Sequence, residues 1–189
     1  MAVVTAGAWK VLDGREGVDL NNPLASVSFG TNPYPVDTPG PPANLGDRVQ
    51  AMNDSEWVFV KASTTVTQYN AIAIDASFAA NNLNISLATS NTYMYGLALF
   101  NATLVNTGDY FWAAVRCGAG GRANFIGTAV AGAKVYVTAN AGILTTSVPA
   151  TNTPQLQGLA FAITGAASAT PNEVIMSGYA VAVTSLASV

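Results

Sequence analysis

A pattern of strands and turns occurs twice along this chain, and the repetition limits the folds open to it. The first copy contains the β-like runs 57–61, 66–75, 96–100 and 110–116, and the second contains 124–126, 130–138, 158–163 and 178–183. Both copies include a Gly-Leu-Ala step, at Gly96 and at Gly158, and the offset stays at about 60 residues across several elements. The pattern therefore predicts an internal duplication of a small β unit. The alternative is that similar turns make any all-β chain align loosely with itself.

The individual runs have the alternation of β-strands. Trp57 and Phe59 alternate with Val58 and Val60, and small residues alternate with large ones in 70–75. About ten short strands without a convincing helix predict an all-β sandwich or barrel over residues 56–189, with possible repeat units 56–117 and 122–183. The glycine-dense stretch 118–122 lacks the spacing of a phosphate-binding loop, so we interpret it as the joint between the units.

Residues 1–55 differ from the rest and are predicted to form an extended N-terminal arm. Six prolines occur in residues 21–42, and proline fixes φ and removes an amide donor, which favours extended chain. Apolar residues between the prolines indicate that the arm lies on a surface, its own or a neighbour's; a disordered linker is the alternative. One helical turn is predicted for 46–54. The strands from Trp57 onward are expected to hold the core, so a chain that begins near Gly46 should fold.

Charge is scarce and limits the classes of partner. Only 9% of the residues are charged, and eleven of these seventeen residues lie in the first 61. A large neutral surface favours burial against copies of the chain or against a fixed partner, and we predict a homo-oligomer. The net charge of −3 and the absence of Lys/Arg runs argue against direct nucleic-acid binding. We expect no membrane partner either, because no run approaches the roughly 18 apolar residues of a membrane span.

The side-chain inventory argues against catalysis. The chain has no histidine, which removes the usual general base and the commonest transition-metal ligand. Its carboxylates stand singly or near the arm, and they lack the spacing of calcium loops, so we predict no enzyme activity, no metal and no cofactor. Cys117, the single cysteine, ends an apolar strand and is interpreted, with Trp112, as part of a buried layer.

Three stretches resemble the capsid decoration, or cement, proteins of tailed bacteriophages: Glu56–Asp75, Gly108–Arg116 and Ala131–Leu144. The resemblance covers roughly residues 56–183, leaves the arm outside and names no active site. It implies a small all-β protein, often trimeric, that is made in the host cytoplasm and binds the outer capsid surface of the virion. There it would clamp neighbouring subunits of the major capsid protein.

The arm supplies the candidate capsid-binding residues, because pre-extended chain loses less conformational entropy when it lies along a groove. These candidates are Phe29, Tyr34, Pro35, Val36, Pro39, Pro41 and Pro42. The alternative function is a carbohydrate-binding or fibre/tail structural module of a phage virion. Such a module would use exposed aromatic residues, for which the candidates are Trp57, Tyr93, Tyr95, Tyr110, Phe111 and Trp112.

Overall fold

Twelve strands and one short helix form the regular structure of the described residues. The structure is a computed structural model that describes residues 18–26, 41, 43–90, 94–147, 153–162 and 171–184. It confirms the all-β class. The elements are β1 (Arg48–Ala51), β2 (Ser55–Ala62), β3 (Val66–Thr67), β4 (Ala71–Ile74), β5 (Ala79–Asn82), α1 (Ile85–Thr89), β6 (Met94–Leu97), β7 (Leu104–Val105), β8 (Tyr110–Ala123), β9 (Val135–Val137), β10 (Leu144–Thr145), β11 (Pro154–Phe161) and β12 (Asn172–Thr184).

Ten of the strands form one barrel-like sheet in the order β1-β2-β5-β4-β6-β8-β12-β11-β9-β10, and β3 pairs with β7 separately. A further pairing joins β2 to β8, so β2, β5, β4, β6 and β8 close into a ring. The β2–β5 pair is parallel, and the other four pairs in the ring are antiparallel. Closure removes the free edges from this part of the sheet.

The inside of the ring is filled by apolar side chains that alternate along its strands. Val58 and Val60 of β2, Ile72 of β4, and Phe111 and Ala113 of β8 belong to this cluster. The intervening residues point outward and join a second, larger core beneath the rest of the sheet. Both faces are therefore buried at 57–60 of β2, 71–74 of β4 and 111–115 of β8, which explains why these stretches are continuously apolar.

β8 is the strand that connects the two parts of the sheet. Its first half, from Tyr110 to Arg116, pairs with β2, and its second half pairs with β12. The stretch 118–122, which the sequence analysis interpreted as a joint, is thus continuous strand. Its glycines allow close approach, since a Cβ on Gly118 would lie 2.6 Å from the carbonyl oxygen of Asn53 and one on Gly121 would lie 2.7 Å from that of Val174.

Strand pairing also repeats along the chain. Lys61 pairs with Tyr110, and the residues 62 positions later, Ala123 and Asn172, pair with each other. Likewise Leu97 pairs with Ala114, and Leu159 pairs with Met176, again 62 positions later for both partners. The second half of β8 and β12 therefore correspond to β2 and the first half of β8, and β11 corresponds to β6.

The described part of the predicted arm is integrated into the fold. Leu20 is buried in the larger core, and Leu24 exchanges two backbone hydrogen bonds with Tyr110, of 2.8 and 2.9 Å. The helical turn predicted for 46–54 is wrong, because β1 occupies part of it and pairs with β2 as a hairpin. The boundary predicted at residue 55 falls inside this hairpin. A chain that begins near Gly46 would lose Leu20 and Leu24, so we no longer expect it to keep its full stability.

Replacing Leu20 by Ala should lower the free energy of unfolding by about 2–5 kcal/mol, because the change leaves a cavity in the core. Leu45→Ala is the matched control, since Leu45 is 40% exposed whereas Leu20 is 2% exposed. The control should change stability by no more than about 0.5 kcal/mol. Urea unfolding of both variants measures the difference, and equal effects would show that Leu20 is not a core residue in solution.

Cys117 and Trp112 lie in the buried layer, as the sequence predicted. Burial raises the pKa of the Cys117 thiol to about 11, although a backbone hydrogen bond with Met176 acts in the opposite direction. The thiol thus stays protonated at neutral pH. We expect a bulky thiol reagent to react with the native protein far more slowly than with the urea-unfolded chain.

Replacing Cys117 by Ser should cost about 1–3 kcal/mol of stability, since it places a more polar group in an apolar site. Thermal unfolding measures this cost. Rapid labelling of the native thiol would contradict the buried assignment.

Candidate interaction surface

Most of the predicted capsid-binding residues lie outside the described part of the chain. Pro41 is described and is exposed, whereas Phe29, Tyr34, Pro35, Val36, Pro39 and Pro42 are not described. We define the proline-rich segment as residues 27–42. The structure describes the chain on either side of this segment.

The described residues on either side of the proline-rich segment are hydrogen-bonded beside the closed ring. Before it, the Ser26 amide donates a hydrogen bond of 2.8 Å to the Asp109 carboxylate. After it, the Gly46 amide donates one of 2.9 Å to the Phe59 carbonyl oxygen. Phe59 is on β2 and Asp109 immediately precedes β8, the strand that pairs with β2. The chain before the segment and the chain after it are therefore held beside neighbouring strands of the ring.

Among the described residues, the largest group of exposed apolar side chains lies on β12. Ile175, Tyr179, Val181 and Val183 are 41%, 51%, 54% and 38% exposed, and they alternate with core residues such as Met176 and Ala182. With Ser177 they form one side of the strand, which we call the β12 face. Contiguous apolar exposure of this kind marks interaction sites more often than isolated exposed residues do.

The neighbours of the β12 face on β11 are uncharged. Gln155 pairs with Val183, Gln157 with Val181, and Ala160 with Ile175. The β12 face is thus bordered along β11 by two amides and a methyl group, which leaves it apolar with a neutral polar border.

A polar cluster at Tyr179 links the β12 face to the β1–β2 hairpin. The Tyr179 hydroxyl donates to the Glu56 carboxylate, at 2.8 and 3.0 Å from its two oxygens. Arg48 donates to Glu56 at 2.7 Å and to the Tyr179 hydroxyl at 2.6 Å, and its guanidinium carbon lies 5.4 Å from the Tyr179 ring centroid. These contacts hold the orientation of an aromatic ring that is still half exposed.

The tip of the β1–β2 hairpin is docked on β8. Asn53 and Asp54 both have positive φ, of 60° and 54°, which turns the chain tightly. The Gly118 amide donates to the Asn53 carbonyl oxygen at 3.2 Å, and Arg116 forms a 2.9 Å ion pair with Asp54. The hairpin that carries Arg48 and Glu56 is therefore fixed to the strand beside β12.

Electrostatics favour the ionised form of Glu56. Partial burial raises the pKa of the Glu56 carboxyl, but hydrogen bonds from Arg48 and Tyr179 and the positive charges of Arg48 and Arg116 lower it by more. Its pKa therefore lies below the usual range. The same hydrogen bond to Glu56 keeps the pKa of Arg48 raised, against the opposing effect of desolvation.

The described residues contain no group of three or more His, Cys, Asp or Glu side chains placed to hold a metal ion. Within that same part of the chain, no helix is long and apolar enough to cross a membrane. The aromatic residues proposed for a sugar site are mostly in the core, since Trp57, Tyr95, Phe111 and Trp112 are buried. Tyr110 is partly buried, and Tyr93 lies outside the described residues.

Sequence reasoning identified part of β12, the run 178–183, but not the exposed side of the strand. The signal is present in the alternation of Ile175, Ser177, Tyr179, Val181 and Val183 with small or core residues. Both sides of this alternation contain apolar residues, however, so the pattern alone does not tell which side faces solvent.

Comparison of the chain with protein-family models, with curated proteins and with solved structures gave no match.

The low pKa of Glu56 predicts an acid-sensitive contribution to stability. A carboxyl whose pKa is lowered by folding stabilises the fold above its unfolded pKa of about 4.3, and this contribution is lost as the pH falls through the folded value. Glu56→Gln should therefore be less stable than the wild type at neutral pH and should lose less stability on acidification. Tyr179→Phe should change the acid dependence in the same direction. Urea unfolding from neutral to strongly acid pH tests this, and parallel curves for wild type and Glu56→Gln would contradict it.

Proposed function

We propose that this chain is a structural protein of a tailed-bacteriophage virion that binds the outer surface of the head. There it stabilises the contacts between major capsid protein subunits. The observation that carries the proposal is that the chain on either side of the proline-rich segment, at Ser26 and at Gly46, is hydrogen-bonded beside a closed β ring. The resemblance of the stretches 56–75, 108–116 and 131–144 to decoration proteins supports it.

Anchoring at both ends matters because it reduces the entropy lost on binding. A free arm must be ordered along its whole length, whereas a segment with fixed ends samples fewer conformations before it binds. Prolines restrict it further by fixing φ. The ring that holds the two ends is rigid, since both faces of β2 and β8 are buried. Phe29, Tyr34 and Val36 are the apolar anchors that such a segment would insert into pockets of the capsid.

The proposal includes a homo-oligomer, for which the resemblance favours a trimer. A trimer would hold three segments at one place and raise their effective concentration at the capsid surface. The protein would be made in the host cytoplasm and act without catalysis, cofactor, nucleic acid or membrane.

A carbohydrate-binding or fibre/tail module is the second candidate, and Tyr179 is the observation that favours it. An exposed aromatic ring held beside Arg48 and Glu56 offers a stacking surface with hydrogen-bonding groups at its edge. A single ring of this kind makes a smaller site than the six aromatic residues considered from the sequence.

Binding to heads that lack the protein tests the first candidate. Replacing Phe29, Tyr34 and Val36 together by Ala should weaken binding at least tenfold, because each buried anchor contributes about 1.5–3 kcal/mol. The matched control is the triple Ala variant of Leu104, Ile126 and Val130, three exposed apolar residues elsewhere on the surface. Co-sedimentation with heads measures the affinity, and thermal unfolding verifies that both variants fold.

Three outcomes would count against the proposal. Absence of wild-type binding to heads would refute the capsid role, and binding to a glycan array without binding to heads would favour the second candidate. If the two triple variants bound heads equally well, the proline-rich segment would not be part of the contact with the capsid.

A further inference from the structure

Part of the β12 face corresponds to positions that are enclosed in the first repeat. Ala113 and Val115 lie inside the closed ring, and the residues 62 positions later are Ile175 and Ser177. In the ring this side of the sheet is covered by the ring's own strands. In the second repeat Ile175 is 41% exposed, so the equivalent side is not covered by the described part of the chain. The other apolar residues of the β12 face continue this exposed side beyond the positions that correspond to the ring, and together they leave an apolar surface for a partner.

The charged residues beside the β12 face lie next to residues of opposite charge. Arg48 and Glu56 form an ion pair of 2.7 Å beside Tyr179, and Arg122 is paired in register with Glu173 between β8 and β12. A strongly charged partner would find no uncompensated charge at these pairs. An uncharged protein surface fits better, and this chain has such a surface, since only 9% of its residues are charged. Two copies of a neutral apolar face can pack together without bringing like charges into contact.

The size of the β12 face predicts the strength of such a contact. Nine residues at about 3.3 Å each give a length of about 30 Å, and β12 with β11 beside it, two strands spaced by about 4.8 Å, gives a width of about 10 Å. The footprint is therefore about 300 Å² per copy and about 600 Å² in total, which falls below the roughly 1,200 Å² of stable, specific interfaces. Association through this face alone should be weak and should depend on concentration.

We infer that the β12 face packs against a second copy of this chain. The contact is reversible in dilute solution, and the fraction of associated chains rises when the copies are brought close together. This inference does not depend on the capsid role, because it concerns the purified chain by itself.

The experiment measures the mass of the purified chain by sedimentation equilibrium from micromolar to millimolar concentration. The wild type should shift from one chain towards a multimer as the concentration rises. Val181→Glu should raise the dissociation constant at least tenfold, because it places an unpaired charge in the contact. Ile175→Glu, at the other end of the face, should act in the same way.

Val130→Glu is the matched control, since Val130 is 44% exposed and lies outside the β12 face. It adds the same charge to the protein and should leave association unchanged. Thermal unfolding identifies any variant that fails to fold, and Val181→Thr then provides a milder change in the same place. A wild type that remains a single chain at every concentration would overturn the inference. So would a multimer that survives both Glu substitutions on β12, or one that Val130→Glu disrupts equally.

Head binding distinguishes this inference from the proposed function. If the wild type stays monomeric while Val181→Glu loses its affinity for heads, the β12 face contacts the capsid and the inference is wrong although the capsid role stands. If the chain associates through β12 but binds no heads, the proposed function fails and the inference stands.

Discussion

The pairing of β2 with β8 is the interaction on which the rest of the structure depends. It runs from Glu56 opposite Arg116 to Lys61 opposite Tyr110, and it closes five strands into a ring. Once the ring is closed, every inward side chain is removed from water, and only apolar residues of suitable volume fit there. The outward side chains of the same strands form part of the second core, where Phe59 and Trp112 lie 5.1 Å apart between ring centroids. The same two strands also bind the chain before and after the proline-rich segment, through Tyr110 to Leu24 and through Phe59 to Gly46.

The second repeat has the same strand pairing, but the side of its sheet that corresponds to the ring interior carries different residues. Val60 and Phe111 face each other inside the ring, and the residues 62 positions later are Arg122 and Glu173, which also pair with each other. A dry interior would require this charged pair to be desolvated, and the cost of desolvation commonly exceeds the attraction between the charges. Both side chains remain partly exposed. One exchange of apolar for charged residues thus explains why the first repeat encloses its core while the second presents an open face.

The sequence was informative where one physical signal dominated and uninformative where two competed. Alternation of apolar residues predicted the all-β class and most strands, and the constant offset predicted that units recur. Prediction from the sequence failed at 118–122, because glycines that permit close backbone contact cannot be told from glycines of a turn. It failed again at 46–54, where local helix propensity was outweighed by pairing of β1 with the distant residues of β2. The β12 face escaped detection because both sides of its strand are largely apolar, and only the tertiary arrangement decides which one is buried.

The lengths of the outermost strands explain why a face, and not an edge, is the surface through which this chain would associate. The ten-stranded order ends in β1 and β10, which contain four and two residues. Such short edges offer few free backbone groups to another strand, and Arg48 on β1 places a charge at one of them. Edge-to-edge pairing, the usual hazard of β proteins, is thereby disfavoured at both ends of the sheet. The β12 face lies on a strand that pairs with β11 at residues 174–176 and 181–184 and with β8 at residues 172–176. A contact through this face would rest on its side chains, and substitutions that leave the strand pairing intact could tune its strength.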